Sequence, residues 1–270
     1  MTSIRPAAVA DMFYPGRATV LARDVSDMLD EARDRPGSAG SLPKALIVPH
    51  AGYVYSGPVA ATAYARLKAG RGVISRVVLL GPVHRVPVRG LALPGADAFA
   101  TPLGTVPVDT EAAAALRNLA QVVVSAPAHA LEHSLEVQLP FLQTVLGDFR
   151  LLPLAVGDAS AQQVAQVLEL LWGGEETLIV VSSDLSHYLP YDTAKQVDAE
   201  TARRILDLSV DIRHEEACGG TPVNGLLLAA RRHGLSPELL DLRNSGDTAG
   251  DRGRVVGYAA FAFLEMPHVR

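Results

Sequence analysis

The sequence has a single cysteine, Cys218, in 270 residues. An intrachain disulfide is therefore excluded, and the thiol is either a small buried hydrophobe or a reactive or ligating group. Lysine and arginine form no dense cluster, and the formal net charge is −5. Both observations speak against a general nucleic-acid binder, which carries a basic patch. No stretch approaches the roughly 20 apolar residues of a membrane span. The opening residues Met1-Thr2-Ser3-Ile4-Arg5-Pro6 lack an apolar core of signal-peptide length, so a cytoplasmic location is expected. Also missing are a GxGxxG turn after a strand, a Walker P-loop, a Gly-x-Ser-x-Gly elbow and an HExxH helix. A nucleotide enzyme or an ordinary serine hydrolase has no support.

What the chain does have is three short apolar runs that each end in a metal-binding or proton-moving residue. Ala45–Val48 leads through Pro49 into His50, Val77–Val83 into His84, and Leu178–Ser183 into Asp184 with His187 three residues on. Continuous Val/Ile/Leu runs are what a strand buried on both faces looks like. Open α/β sheets bind ligands just beyond the carboxyl ends of such strands. These groups are therefore expected to meet at one edge of one sheet.

Strands are predicted at 44–49, 75–81, 88–93, 121–125, 150–155, 177–183 and 254–264. Helices are predicted near 18–33 and at 57–69, 110–119, 134–146, 159–172, 193–210 and 222–233. The alternation predicts an α/β fold with a central mixed, mainly parallel sheet flanked by helices. No repeat or strong boundary appears, so residues 1–270 are expected to form a single domain; the loosest stretch, 33–41, reads as a surface loop.

Among the histidines, His214, His233 and His268 lie in polar or terminal segments and are expected to be solvated. His129 sits in a Pro/Ala loop without a pattern. His50 and His84 differ, because each follows a buried strand, and imidazole is the commonest metal-binding side chain. In Ser182-Ser183-Asp184-Leu185-Ser186-His187, the carboxylate and imidazole are close enough to touch, as a general acid/base pair requires. Ser183 or Asp184 would otherwise simply cap a helix. In Cys218-Gly219-Gly220-Thr221-Pro222, Thr221 suits an N-cap and Pro222 the first helical position. A thiol there tends towards a lowered pKa, and the glycines let the backbone pass close to a ligand. Glu132-His133-Ser134-Leu135-Glu136 reads as an exposed acidic helix start.

Taken together, Pro49-His50-Ala51-Gly52-Tyr53, Leu80-Gly81-Pro82-Val83-His84, Glu132–Glu136, Ser182–His187 and Cys218–Pro222 resemble the Memo family, whose prokaryotic members are called AmmeMemoRadiSam system protein B. The resemblance runs from about residue 5 to 265. It implies a fold similar to class III extradiol ring-cleavage dioxygenases. It further implies a metal position lined by His50, His84 and Cys218, with Asp184 and His187 beside it. His187 would be the acid/base, and Phe13, Tyr14, Tyr53 and His133 would line the substrate pocket. Extradiol enzymes use two histidines and a carboxylate for Fe(II), whereas the third position here is a thiolate. Fe(II) is the first expectation, with copper or zinc as alternatives.

The leading expectation is a metal-dependent oxidoreductase of the dioxygenase type, acting on a small aromatic substrate. One alternative is a non-catalytic module that binds a peptide, a phosphate-bearing ligand or a partner protein. The other is a zinc-type hydrolase. The resemblance also implies a functional link to radical-SAM and AMMECR1-type proteins, with neither nucleic acid nor membrane as a partner.

Overall fold

The apolar runs are continuous because the sheet they form is covered on both faces. The computed structural model describes residues 2–34 and 40–265. His268 and the middle of the 33–41 loop lie outside the described residues. The strands are β1 (Ile4–Arg5), β2 (Ala45–Val48), β3 (Arg76–Pro82), β4 (Leu91–Leu93), β5 (Ala98–Thr101), β6 (Gly104–Pro107), β7 (Val122–Val124), β8 (Arg150–Val156), β9 (Thr177–Ser182), β10 (His187–Leu189), β11 (Leu235–Asn244) and β12 (Val255–Glu265). The helices are α1 (Ala18–Arg33), α2 (Tyr53–Ala65), α3 (Thr110–Leu116), α4 (Ala126–Ala130), α5 (Leu139–Leu146), α6 (Ala161–Leu171), α7 (Tyr191–Leu206), α8 (Gly220–His233) and α9 (Ser245–Thr248).

The main sheet runs β10-β12-β2-β9-β3-β8-β4-β7, with β11 on β12. Its centre, β2-β9-β3-β8, is parallel throughout. Antiparallel pairs join β12 to β2 and β4 to β8, so the sheet is mixed with a parallel middle. Alternate residues divide between two cores, as the strand period of two requires. Leu46, Val48, Val77, Leu79, Leu178 and Val180 pack with α1, α2 and α5. Ala45, Ile47, Val78, Leu80, Ile179 and Val181 pack with α6 and α8. Strand β9 lies between β2 and β3 although it follows both in sequence. The carboxyl ends of these three strands thus form the switch point at which such sheets bind ligands.

All seven predicted strands are present, whereas the short strands β1, β5, β6 and β10 and the short helices α4 and α9 were not predicted. β11 was not predicted, because Pro237, Glu238 and Asp241 break its apolar pattern; an edge strand paired only to β12 tolerates proline and charge. Helix α2 begins at Tyr53 rather than 57 and passes through Pro58, ending in a 3-10 turn over Arg66–Gly70. Gly57 packs against α1 there: a Cβ would meet the Met28 sulfur at 2.6 Å, and the flexible Met28 side chain would have to shift. The predicted 134–146 helix splits into a 3-10 turn at Glu136–Gln138 and α5. α7 stops at Leu206, followed by Leu208 at φ 55°. α6, predicted over 159–172, spans Ala161–Leu171 and starts from a capping box between Ser160 and Gln163.

Candidate metal centre

His50 and His84 follow the ends of β2 and β3, on either side of β9. Their ring centroids are 5.2 Å apart, and His133 lies 5.4 Å from His50 and 4.6 Å from His84. One ring nitrogen from each of the three falls within 4.8 Å of the others, a grouping able to hold a metal ion. His133, expected to be a pocket residue, therefore joins the ligand group.

Hydrogen bonds fix which nitrogens are free. Ser182 donates its hydroxyl proton to the Ser134 carbonyl at 2.6 Å and receives Gln138 Nε2 at 2.8 Å. Ser182 Oγ therefore accepts from His50 Nδ1 at 2.9 Å, leaving His50 Nε2 as a lone pair. His84 Nδ1 donates to Glu132 Oε1 at 2.9 Å, and the His84 amide donates to Oε2 at 2.6 Å. A carboxylate behind a histidine in this way orients the ring and raises its basicity towards a metal. Burial would raise the Glu132 carboxyl, but the bonds from His84 and the Ser134 amide hold it at about 2. Burial lowers His50, and burial with the nearby His84 lowers His133 to about 4. Both rings are neutral at physiological pH, the form a metal requires.

Cys218 Sγ lies 3.2 Å from His50 Nε2 and 3.7 Å from the Asp184 carbonyl. Two atoms bound to one tetrahedral ion at about 2.0 and 2.3 Å stand roughly 3.5 Å apart, so sulfur and nitrogen are near enough to share a metal. The three imidazoles form the mutual grouping, Cys218 adjoins it through His50, and imidazole with thiolate is a donor chemistry that suits a borderline transition metal. The expected lowering of the thiol does not occur. Burial and the charge of Asp184 push it up to about 12, which holds the thiol in its protonated form. Nor does Thr221 cap α8: Gly219 occupies the N-cap and donates its amide to Ser183 Oγ at 2.9 Å. Its missing Cβ would meet Ser183 Cβ at 2.7 Å, so this glycine serves close packing on the end of β9 rather than a ligand.

The expected Asp184–His187 pair is replaced by two separate arrangements. Ser183 N–H donates to Val48 O at 2.8 Å, extending the β2–β9 pairing and turning the Asp184 carboxylate onto the His50 amide at 2.7 Å. Asp184 therefore fixes the backbone of His50, and burial raises its carboxyl to about 7. It caps no helix. His187 starts β10, and its Nδ1 donates to the Leu185 carbonyl at 2.8 Å. Its Nε2 has no hydrogen-bond partner among the described residues. His84, His187 and Cys218 share the wall of one cleft of about 880 Å³.

Phe13 packs against His133 with ring centroids 4.6 Å apart and the planes tilted by 39°. Tyr14 and Tyr53 are buried, and their hydroxyls are committed: Tyr14 donates to Glu136, and Tyr53 to the Val137 carbonyl at 2.6 Å. Both brace the site instead of lining the cleft. Glu132 and Glu136, read as an exposed helix start, are 2% and 0% exposed. The alternation of polar residues with Leu135, Val137 and Leu139 is the signal that this segment runs through the interior. His129 is also buried, with Nε2 bonded to the Ala92 carbonyl at 2.8 Å and Nδ1 unpartnered. His214 and His233 are exposed, though His233 stacks on Trp172 at 3.7 Å.

The family model described as "Memo-like protein" matches residues 5–262. The chain belongs to the Memo family. It is 36% identical to a MEMO1 family protein of Ignicoccus hospitalis, covering 96% of this chain and 98% of that one. A MEMO1 family protein of Methanosarcina barkeri is 37% identical over 95% of this chain and 98% of its own. Among solved structures, an uncharacterized protein from Escherichia coli K12 shares the fold with a TM-score of 0.51. It has 13% identity and covers 81% of this chain and 98% of that one. Among the described residues, no helix is long and apolar enough to cross a membrane.

Proposed function

We propose that this Memo-family protein is a metal-dependent oxidoreductase that acts on a small aromatic substrate in the manner of the class III extradiol dioxygenases. The observation that carries the reading is the convergence of three imidazoles beside an open cleft, with the Cys218 thiol against one of them, His50. His50, His84 and Cys218 would hold the ion, with His133 within the same reach; Fe(II) is the metal proposed first. Bound there, Fe(II) would supply O₂ chemistry.

The chain's own residues account for the rest. His187 has its tautomer fixed by Leu185, which leaves Nε2 as the base that takes a proton from a substrate hydroxyl. Burial lowers its pKa and keeps that nitrogen free at neutral pH. Tyr188, Leu189 and Val197 give the cleft an apolar wall suited to a ring. Asp184 positions the His50 backbone. A cytoplasmic setting, which keeps thiols reduced, would preserve Cys218 as a ligand.

The test is oxygen uptake by anaerobically prepared, iron-loaded protein given a panel of catechol-type compounds, beside His187→Ala. Uptake matched by ring-opened product, and lost in His187→Ala with iron retained, supports the reading. Zinc binding with hydrolysis and no oxygen uptake overturns it in favour of a hydrolase.

A further inference from the structure

A second cavity, of about 670 Å³, lies between α1, the start of α2 and the 11–15 turn, and contains none of His84, His187 or Cys218. One edge follows α1, where Asp24, Asp27 and Glu31 succeed one another at intervals of three and four residues, on one helix face. Asp11 faces them from the turn. No lysine, arginine or histidine is among its walls. Asp24 is paired with the exposed Arg23, but Asp27 and Glu31 make no ion pair with a described residue.

The other edge is apolar and exposed. Met12, Val54 and Tyr55 are 69%, 65% and 40% exposed, and Met28 and Pro58 also line the cavity. Large apolar side chains gathered in one groove mark an interaction site, unlike singly scattered ones. Carboxylates facing an apolar edge, with no cation between them, suit one kind of occupant.

We propose that this groove docks a basic, partly apolar segment of another protein. From Asp24 to Glu31 the helix rises about 10 Å. An extended chain covers that with about three residues and places alternate side chains roughly 7 Å apart. Two basic side chains at i and i+2 then reach Asp27 and Glu31, while the apolar residue between them turns to Val54 and Met12. Phe13 belongs to this groove and also touches His133, so the docked segment sits one side chain away from the metal cluster. The proposal does not depend on the reaction assigned above.

The test is fluorescence anisotropy with a fluorescein-labelled Lys-Leu-Lys-Leu-Lys amide and the full-length protein. Binding is expected to weaken at least ten-fold in Asp27→Lys/Glu31→Lys and at least five-fold in Met12→Ser/Val54→Ser. A charge-matched control, Glu111→Lys/Glu175→Lys, places the same change on exposed residues elsewhere and is expected to leave binding within two-fold. Circular-dichroism melting confirms that each variant folds. Absence of binding to the wild type overturns the proposal. So does equal weakening in the control, or equal binding of an all-lysine peptide, which would show attraction to overall charge alone.

Discussion

Glu132 and Glu136 are four residues apart in one Memo motif and equally hidden from water, but they face in different directions. Glu132 accepts from the His84 ring and amide and from the amides of His133 and Ser134, so it orients the candidate metal ligands. Glu136 binds Arg5, the Tyr14 hydroxyl and the amides of Ala8 and Val9, so it ties the N-terminal segment to the core. Arg5 in turn donates to the carbonyls of His129 and Glu132. One short segment thus has a half that holds the scaffold and a half that prepares the site. Residues adjacent in one short segment are not thereby all reacting groups.

The widest separation between the halves is expected on removing Glu136. Glu136→Ala leaves Arg5 as a buried unpaired charge and should cost about 3–5 kcal/mol in urea denaturation. A loss under 1 kcal/mol would show that the N-terminal segment is not held by this carboxylate.

His129, on the scaffold side, gives a pH signature. Burial lowers it from 6.5 to about 4. Its neutral form is therefore favoured by folding, and that stability is complete above pH 6.5 and is lost as pH falls towards 4. The drop corresponds to about 3 kcal/mol. Between pH 7 and 4.5, wild type should lose more stability than His129→Gln; parallel profiles would contradict the assignment.

On the site side, Glu132→Gln keeps an acceptor for His84 but removes the charge. Metal affinity should fall 10–100-fold, read by competition with a chromophoric chelator. An unchanged affinity would reduce Glu132 to a second scaffold carboxylate. The smallest effect is expected for Tyr53→Phe, which strands the Val137 carbonyl. It should cost about 1 kcal/mol and leave metal affinity unaltered. A matching loss of affinity would move Tyr53 into the site.

The fold and the strand-end histidines were legible in the sequence because periodicity reports which faces are covered. Runs apolar at every position gave β2, β3 and β9, and the residues just after them gave His50, His84 and Asp184. Contacts made across the fold were not legible. Asp184 and His187 are near in sequence, but the β2–β9 pairing turns the carboxylate to His50. Glu132 looked like a helix start because its partner, His84, is 48 residues away. The shift of the Cys218 thiol was read with the wrong sign, since its burial outweighs the short helix start beside it. His129 lacks a pattern in its own segment and is buried by β4, through Ala92.

The central claim is that His50 and His84 anchor one metal ion. Anaerobic titration of Fe(II) into the apo-protein, followed by calorimetry and checked by elemental analysis, tests it most directly. One ion per chain is expected in the wild type, and none in a folded His50→Ala/His84→Ala variant. Failure of the wild type to take up any metal, or equal uptake by the double variant, would contradict it.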